Sequence, residues 1–187
     1  MKNGLGEKMN FDLGIAYTRK PEIKDLESIY QYRNDSEVYN MLGGFSHGIS
    51  RLDVKAWIEG SNNRENDHIW ALADKKTDVC IGHLGLYKID YRIGKAELGL
   101  AISREYWGKG IGLKSTENML SYGFNELRLN RIETFNLMSN KKIISLKNKL
   151  GFKTEGTLRE FQYRGGHHQD VVIMAILKKE YASQNSE

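Results

Sequence analysis

Cysteine is nearly missing from this 187-residue chain, where Cys80 stands alone. A single cysteine excludes an internal disulfide and suits a protein of the reducing cytoplasm. Its neighbours Val79 and Ile81 predict a buried strand position for the thiol. Proline is as scarce: Pro21 is the only one, and no proline-rich linker divides the chain. No apolar run approaches the roughly 20 residues of a membrane span, and no signal-peptide pattern opens the sequence. Charge of one sign is not gathered into blocks. There are 28 Lys and Arg against 24 Asp and Glu, a net charge of +4 and a pI of about 9.0. Scattered in this way, the basic residues fit a solvated face or an anionic substrate better than a nucleic-acid track. There is no internal repeat, and the length allows one domain with a real core. That domain is expected over residues 11–181, with 1–10 and 182–187 as flexible termini and Met9 as an alternative start.

What the chain does have is glycine, and three glycines decide the reading. The stretch from Ala96 to Leu113 opens with an apolar run, Leu98 to Ile102, and turns through Gly108, Gly110 and Gly112. It continues with Leu113, Thr116, Leu120, Phe124 and Leu127, the spacing of one buried helix face. Strand, glycine turn and helix gather backbone N–H groups at a helix N-terminus, where phosphate is held. A dinucleotide fingerprint fails because its third glycine position is Leu113, and a Walker A loop fails because Trp107 stands where its first glycine is needed.

The loop that remains, Trp107 to Gly112, resembles the pyrophosphate loop Gln/Arg-x-x-Gly-x-Gly/Ala of the GNAT superfamily of acetyl-CoA-dependent N-acetyltransferases. Trp107 stands where Gln or Arg is usual, as it often does in the branch that includes ribosomal-protein N-terminal alanine acetyltransferases. A second signature runs from Asn140 through Lys149-Leu-Gly-Phe152. The order of elements read from the residues, βααβββαβαββ, is also the family's order. The resemblance, covering residues 15 to 180, implies a single-domain α/β fold with a mixed sheet of about seven strands and about four helices. It implies acetyl-CoA as donor and no metal. Cofactor contacts are expected at Leu100, Ala101 and Ile102, at Trp107, Gly108, Lys109, Gly110, Ile111, Gly112 and Leu113, and at Asn140, which in relatives meets the pantetheine arm.

The family reaction is direct attack of a primary amine on the thioester, so aligning two substrates supplies much of the acceleration. A backbone N–H near Leu100 to Ile102 is expected to hold the oxyanion, freed by a bulge near Gly99. Glu97 is the candidate general base, with His47, His83, His167 and His168 as alternatives. Relatives commonly carry a tyrosine acid where this chain has Lys147, and a small residue where it has Ile143. With an ordinary ammonium pKa near 10.4, Lys147 is expected to offer charge, or point to solvent, rather than donate a proton. Lys141, Lys142, Lys147 and Lys149 together read as a solvated helix face.

The acceptor is expected between the loop from Met41 to Ile49 and the terminal hairpin near Phe161 to Gln169. A protein N-terminus, an amino-sugar nucleotide or another small amine would fit. A polyamine would meet only a thin acidic patch at Asp35, Glu37 and Glu59. A non-catalytic acyl-CoA-binding module of the same fold is the alternative, and a homodimer is possible. Neither a nucleic acid nor a membrane is expected as partner.

Overall fold

The computed structural model of the protein describes residues 10–42 and 48–184. The expected alternative start at Met9 and the loop residues 43–47, including His47, lie outside the described residues. One seven-stranded sheet runs in the order β1-β2-β3-β4-β5-β7-β6. Its strands are β1 (Ala16–Arg19), β2 (His68–Asp74), β3 (Cys80–Asp90), β4 (Lys95–Ile102), β5 (Arg131–Leu137), β6 (Lys153–Arg164) and β7 (His167–Leu177). Every neighbouring pair is antiparallel except β4 and β5, which run parallel.

Period-two burial along the strands divides the core between the two faces of the sheet. On one face Leu84, Leu86, Leu98, Ile132 and Met174 pack under α4 (Ile111–Ser121), with Leu146 of α5 (Lys141–Lys149) against them. On the other, Ala71, Cys80 and Ala101 lie beneath α1 (Leu26–Asn34), α2 (Ser36–Met41) and α3 (Arg51–Ser61). Cys80 is buried as expected; its thiol donates to the Gly82 carbonyl, and burial pushes its pKa up to about 12. α3 starts at a capping box, where Ser50 and Asp53 satisfy each other's backbone N–H.

Among the described residues six α-helices form where about four were expected. α2 is a third helix between β1 and β2, where the expected order has two; it forms because Asp35 accepts from the N–H groups of Glu37 and Val38 and so starts a new turn. Six residues are too few to show a periodic face. α6 (Lys178–Gln184) carries regular structure past the boundary expected at residue 181. Tyr181 anchors it on Phe124 at 5.1 Å between ring centroids, and Glu180 accepts from Leu177 N–H.

Candidate active site

β4 and β5 pair only through Lys95↔Arg131, Ala96↔Ile132 and Glu97↔Glu133. Both strands run on, to Ile102 and Leu137, without pairing further. A wedge-shaped gap therefore opens along β4 from Leu98 onward. The bulge expected near Gly99 is absent: the β3–β4 register is regular from Gly82↔Ile102 to Tyr87↔Glu97. Backbone groups on β4 are freed by its separation from β5, not by a distortion against β3. Side chains of Leu100, Ile102 and Leu146 converge on Gly112 at the head of α4, each 3.4–3.6 Å from where a β-carbon would stand.

The glycine loop closes the wide end of the gap. Gly108 (φ 75°) and Gly110 (φ 79°) are left-handed, a conformation that glycine adopts without steric cost. A β-carbon on either would meet nothing within 4 Å, so both look onto open space. The first intrahelical bond of α4 is Lys114 N–H to Gly110 O, at 3.2 Å. The N–H groups of Ile111, Gly112 and Leu113 precede it and have no helical acceptor. No acidic residue stands in this first turn, and Lys109 and Lys114 flank it, Lys109 with its ammonium 4.5 Å from the Tyr106 ring centroid. Open donors and the helix dipole, with Lys109 beside them, make an anion cradle; the Lys114 ammonium lies on the side of Gly14 and Asp12.

Two of the expected contacts have structural work besides. The Trp107 indole donates to the Ile102 carbonyl at 2.8 Å, and its ring packs against the buried cluster between the sheet and helices α1 to α3. It braces the turn from β4 into the glycine loop. Asn140 caps α5 through Oδ1, which accepts from Ile143 N–H at 3.2 Å, while Nδ2 reaches the Met41 carbonyl at 3.5 Å.

Residues Glu97, Gly99 and Ala101 face away from α4. Glu97 sits where the β4–β5 pairing ends, a quarter exposed, and holds Lys88 at 3.0 Å. The Tyr87 ring lies across the cross-strand pair Gly85↔Gly99, where a β-carbon on Gly99 would come within 2.7 Å of it. Beside it on β3, His83 meets the Tyr32 hydroxyl at 2.7 Å and the Trp57 ring edge-on at 5.1 Å. Burial, with Arg33 nearby, drives the His83 pKa down to about 3. A base that weak stays neutral and takes protons poorly at neutral pH, which favours Glu97 over His83. His167 and His168 lie exposed in the terminal hairpin.

Lys147 departs most from expectation. It does not share the solvated face of Lys141, Lys142 and Lys149, which are exposed; it is 1% exposed. Its ammonium has no hydrogen-bond partner and stands 5.2 Å from the Phe152 ring centroid. Burial alone lowers its pKa to about 7. The only signal in the sequence was the helix phase, which sets Lys147 one residue from Leu146 and three from Leu150 on the inward side.

Solved structures share this build. A Vibrio cholerae spermidine N-acetyltransferase, in complex with CoA and spermine, superposes with a TM-score of 0.82 at 26% identity, covering 90% of this chain and 98% of that one. The chain belongs to the GNAT acetyltransferase family, whose Acetyltransferase (GNAT) domain matches residues 17–153. A Bacillus licheniformis relative named uncharacterized N-acetyltransferase p20 is 34% identical over 166 residues, 88% of this chain and 93% of that protein. A Bacillus subtilis relative, YdaF, named as a candidate ribosomal N-acetyltransferase, is 34% identical over 103 residues, 55% of this chain and 56% of its own. The protein is an N-acetyltransferase, moving an acetyl group to an amine.

Proposed function

We propose that the enzyme binds acetyl-CoA with its pyrophosphate on the Gly108–Leu113 cradle and its thioester along the unpaired length of β4. The acceptor amine then attacks directly in a ternary complex, from the side of β4 that carries Glu97, Gly99 and Tyr87. The observation that carries this reading is the pair of left-handed glycines facing open space, set at the wide end of a gap where β4 offers free backbone groups. An N–H of Leu100 to Ile102 would receive the oxyanion. Calorimetry with acetyl-CoA tests the donor site. A panel of amines read by release of free CoA thiol tests the reaction, and absence of thiol release with every amine would leave an acyl-CoA-binding module.

The acceptor we favour is a protein N-terminus or a small amine without a string of positive charges. Carboxylates that could hold a polyamine already have cations. Asp35 and Glu37 both hold Arg104, Glu27 holds Arg51, and Lys55 stands 3.9 Å from Glu59. Deprotonation points the same way. A lysine-like amine of pKa near 10.4 costs about 4.6 kcal/mol to neutralise at pH 7, an α-amine near 8 only about 1.4. Spermidine emerging as the best acceptor of the panel would overturn this preference.

Glu97 is the group we assign to take the amine's proton, directly or through a water, in exchange with Lys88. Glu97→Gln is expected to lower kcat by about 10²-fold near pH 7, the usual scale for a lost general base. The deficit should narrow at high pH, where the amine is already neutral. A variant whose pH–rate profile keeps the wild-type shape would return the proton to solvent.

A further inference from the structure

Arg19 and Arg164 both lie almost wholly inside the protein, and their charges are met very differently. Arg19 grips the Asp25 carboxylate with two N–H groups, each at 2.7 Å. Arg164, the last residue of β6, is 3% exposed, and among the described residues no carboxylate pairs with it. Its Nε donates to the Leu42 carbonyl at 3.3 Å. Its Nη1 donates to the Tyr39 hydroxyl at 3.1 Å and to the Tyr163 carbonyl at 3.4 Å. The Tyr39 ring stands 4.7 Å from the guanidinium carbon. Every one of these partners is neutral. Three of the five guanidinium N–H groups are thereby placed, and the two on Nη2 meet no acceptor among the described residues. Unlike Lys147 Nζ and Asn136 Nδ2, Nη2 is not sealed from solvent. The loop residues 43–47 read Gly-Gly-Phe-Ser-His and contain no carboxylate. A buried cation is costly unless an opposite charge meets it. Neutral partners hold this guanidinium in place and leave its charge for a ligand.

The contacts put it on the acceptor's side. Tyr39 belongs to α2 and Leu42 ends it, and α2 with α1 and α3 covers the face of β4 that carries Glu97, Gly99 and Ala101. Met41, one residue before Leu42, offers its carbonyl to Asn140 at 3.5 Å, and Asn140 is where we expect the pantetheine arm. Successive carbonyls at the end of α2 thus join Arg164 to the wide end of the gap. The hairpin makes the same link. Gln169 Nε2 reaches the Arg164 carbonyl at 3.4 Å, while its Oε1 accepts from Ser139, the neighbour of Asn140. At this junction a hollow of about 410 Å³ has Lys141, His167 and His168 on its walls. Its one carboxylate, Asp170, is engaged by the Glu160 N–H at 2.8 Å.

We propose that Arg164 is a specificity-determining residue that receives a carboxylate of the acceptor, so that the amines this enzyme prefers are those that carry one. The inference rests on the acceptor reading above and narrows it, from amines without a string of positive charges to amines with a negative group. Nη2 supplies the two open donors, and the fork geometry of arginine suits a carboxylate. The α-carboxylate of a small amino acid and an acidic side chain near a peptide N-terminus present the same chemistry. A polyamine would instead bring ammonium groups toward a buried guanidinium.

The test compares kcat/KM, read by thiol release, for acceptors that differ only as carboxylate or carboxamide. One series is peptides with Glu or Gln as the second residue; the other is short ω-amino acids and their amides. The series with the larger ratio identifies the source of the carboxylate. Wild type is expected to favour the acid by about 10- to 100-fold, the scale of hydrogen bonds to a charged group. In Arg164→Gln the ratio should fall to within about threefold of one. A merely structural clasp would lower acid and amide rates together and leave the ratio standing. Equal wild-type rates for acid and amide in both series overturn the proposal, and that comparison decides even where the variant does not fold. An undiminished ratio in folded Arg164→Gln overturns it too. So does a loss of acetyl-CoA affinity in that variant with no change in the ratio, which would give the guanidinium to a phosphate of the donor. Thiol release with no acceptor of either kind would overturn the acceptor reading itself along with the proposal.

Discussion

Gly110→Asp is expected to abolish measurable acetyl-CoA binding while leaving the chain folded. Two effects combine at one residue. Gly110 has φ of 79°, and a β-carbon there carries roughly 1–2 kcal/mol of left-handed strain. The built space around it is empty, so no clash adds to that strain. The larger effect is charge. A carboxylate at the residue preceding α4 would cap the same N–H groups of Ile111 to Leu113 that are proposed to hold pyrophosphate, and would repel the phosphates besides. Losing two or three charge-assisted hydrogen bonds, each worth about 1.5–3 kcal/mol, takes an ordinary micromolar ligand beyond detection. Gly110→Ala separates the two effects, because it adds the strain without the charge and should weaken binding only modestly. Calorimetry is the measurement, with circular dichroism to establish folding. Undiminished affinity in a folded Gly110→Asp protein would remove the loop from the donor site.

The second large effect concerns stability. Lys147 binds its proton less tightly in the folded chain (pKa about 7) than in the unfolded chain, near 10.5. Between those values the unfolded state carries more protons, so stability rises with pH across that window, by up to about 5 kcal/mol. Below about pH 7 the folded protein must bury an unpaired ammonium and bears the full penalty. Lys147→Met, which fills the same space without charge, should therefore be more stable than wild type at pH 6, and the difference should shrink toward pH 10. Urea unfolding of both proteins at several pH values measures it. Cys80, whose raised pKa makes stability fall above about pH 9, is common to both and cancels in the difference. Parallel wild-type and variant stabilities at every pH would mean that the ammonium is solvated.

The sequence made some of this legible and hid the rest, for physical reasons that differ by element. Strand β5 (Arg131–Leu137) was readable because Ile132, Thr134 and Leu137 are apolar or β-branched. So was the glycine turn into α4, where local chemistry and tertiary role agree. α2 was missed because a helix of six residues, Ser36–Met41, is too short to show a period. The source of the gap was misplaced. Gly99 invited a bulge, yet it is flat in the sheet and serves instead to seat the Tyr87 ring, a contact between strands that no local pattern carries. Lys147 was read by residue type, as lysines nearly always can be, and only packing against Phe152 and the sheet shows it to be interior. Glu97 could be named from its strand, but its ion pair with Lys88 depends on a side chain nine residues away across a turn.

The three residue pairs that join β4 to β5 have a consequence for how the molecule breathes. Strands β1 to β4 form one antiparallel ribbon and β5, β7 and β6 another, and only Lys95–Glu97 against Arg131–Glu133 stitches the ribbons edge to edge. Local opening takes the least secured contacts first, so the amides of this seam should exchange with solvent sooner than those in the middle of either ribbon. A molecule lying in the gap touches both ribbons at once and adds its own binding free energy to the seam, about 2.7 kcal/mol at a hundredfold excess over Kd. The donor would then act as a missing portion of the sheet, and its arrival would be recorded in the exchange rates of strands β4 and β5 before it was recorded anywhere else.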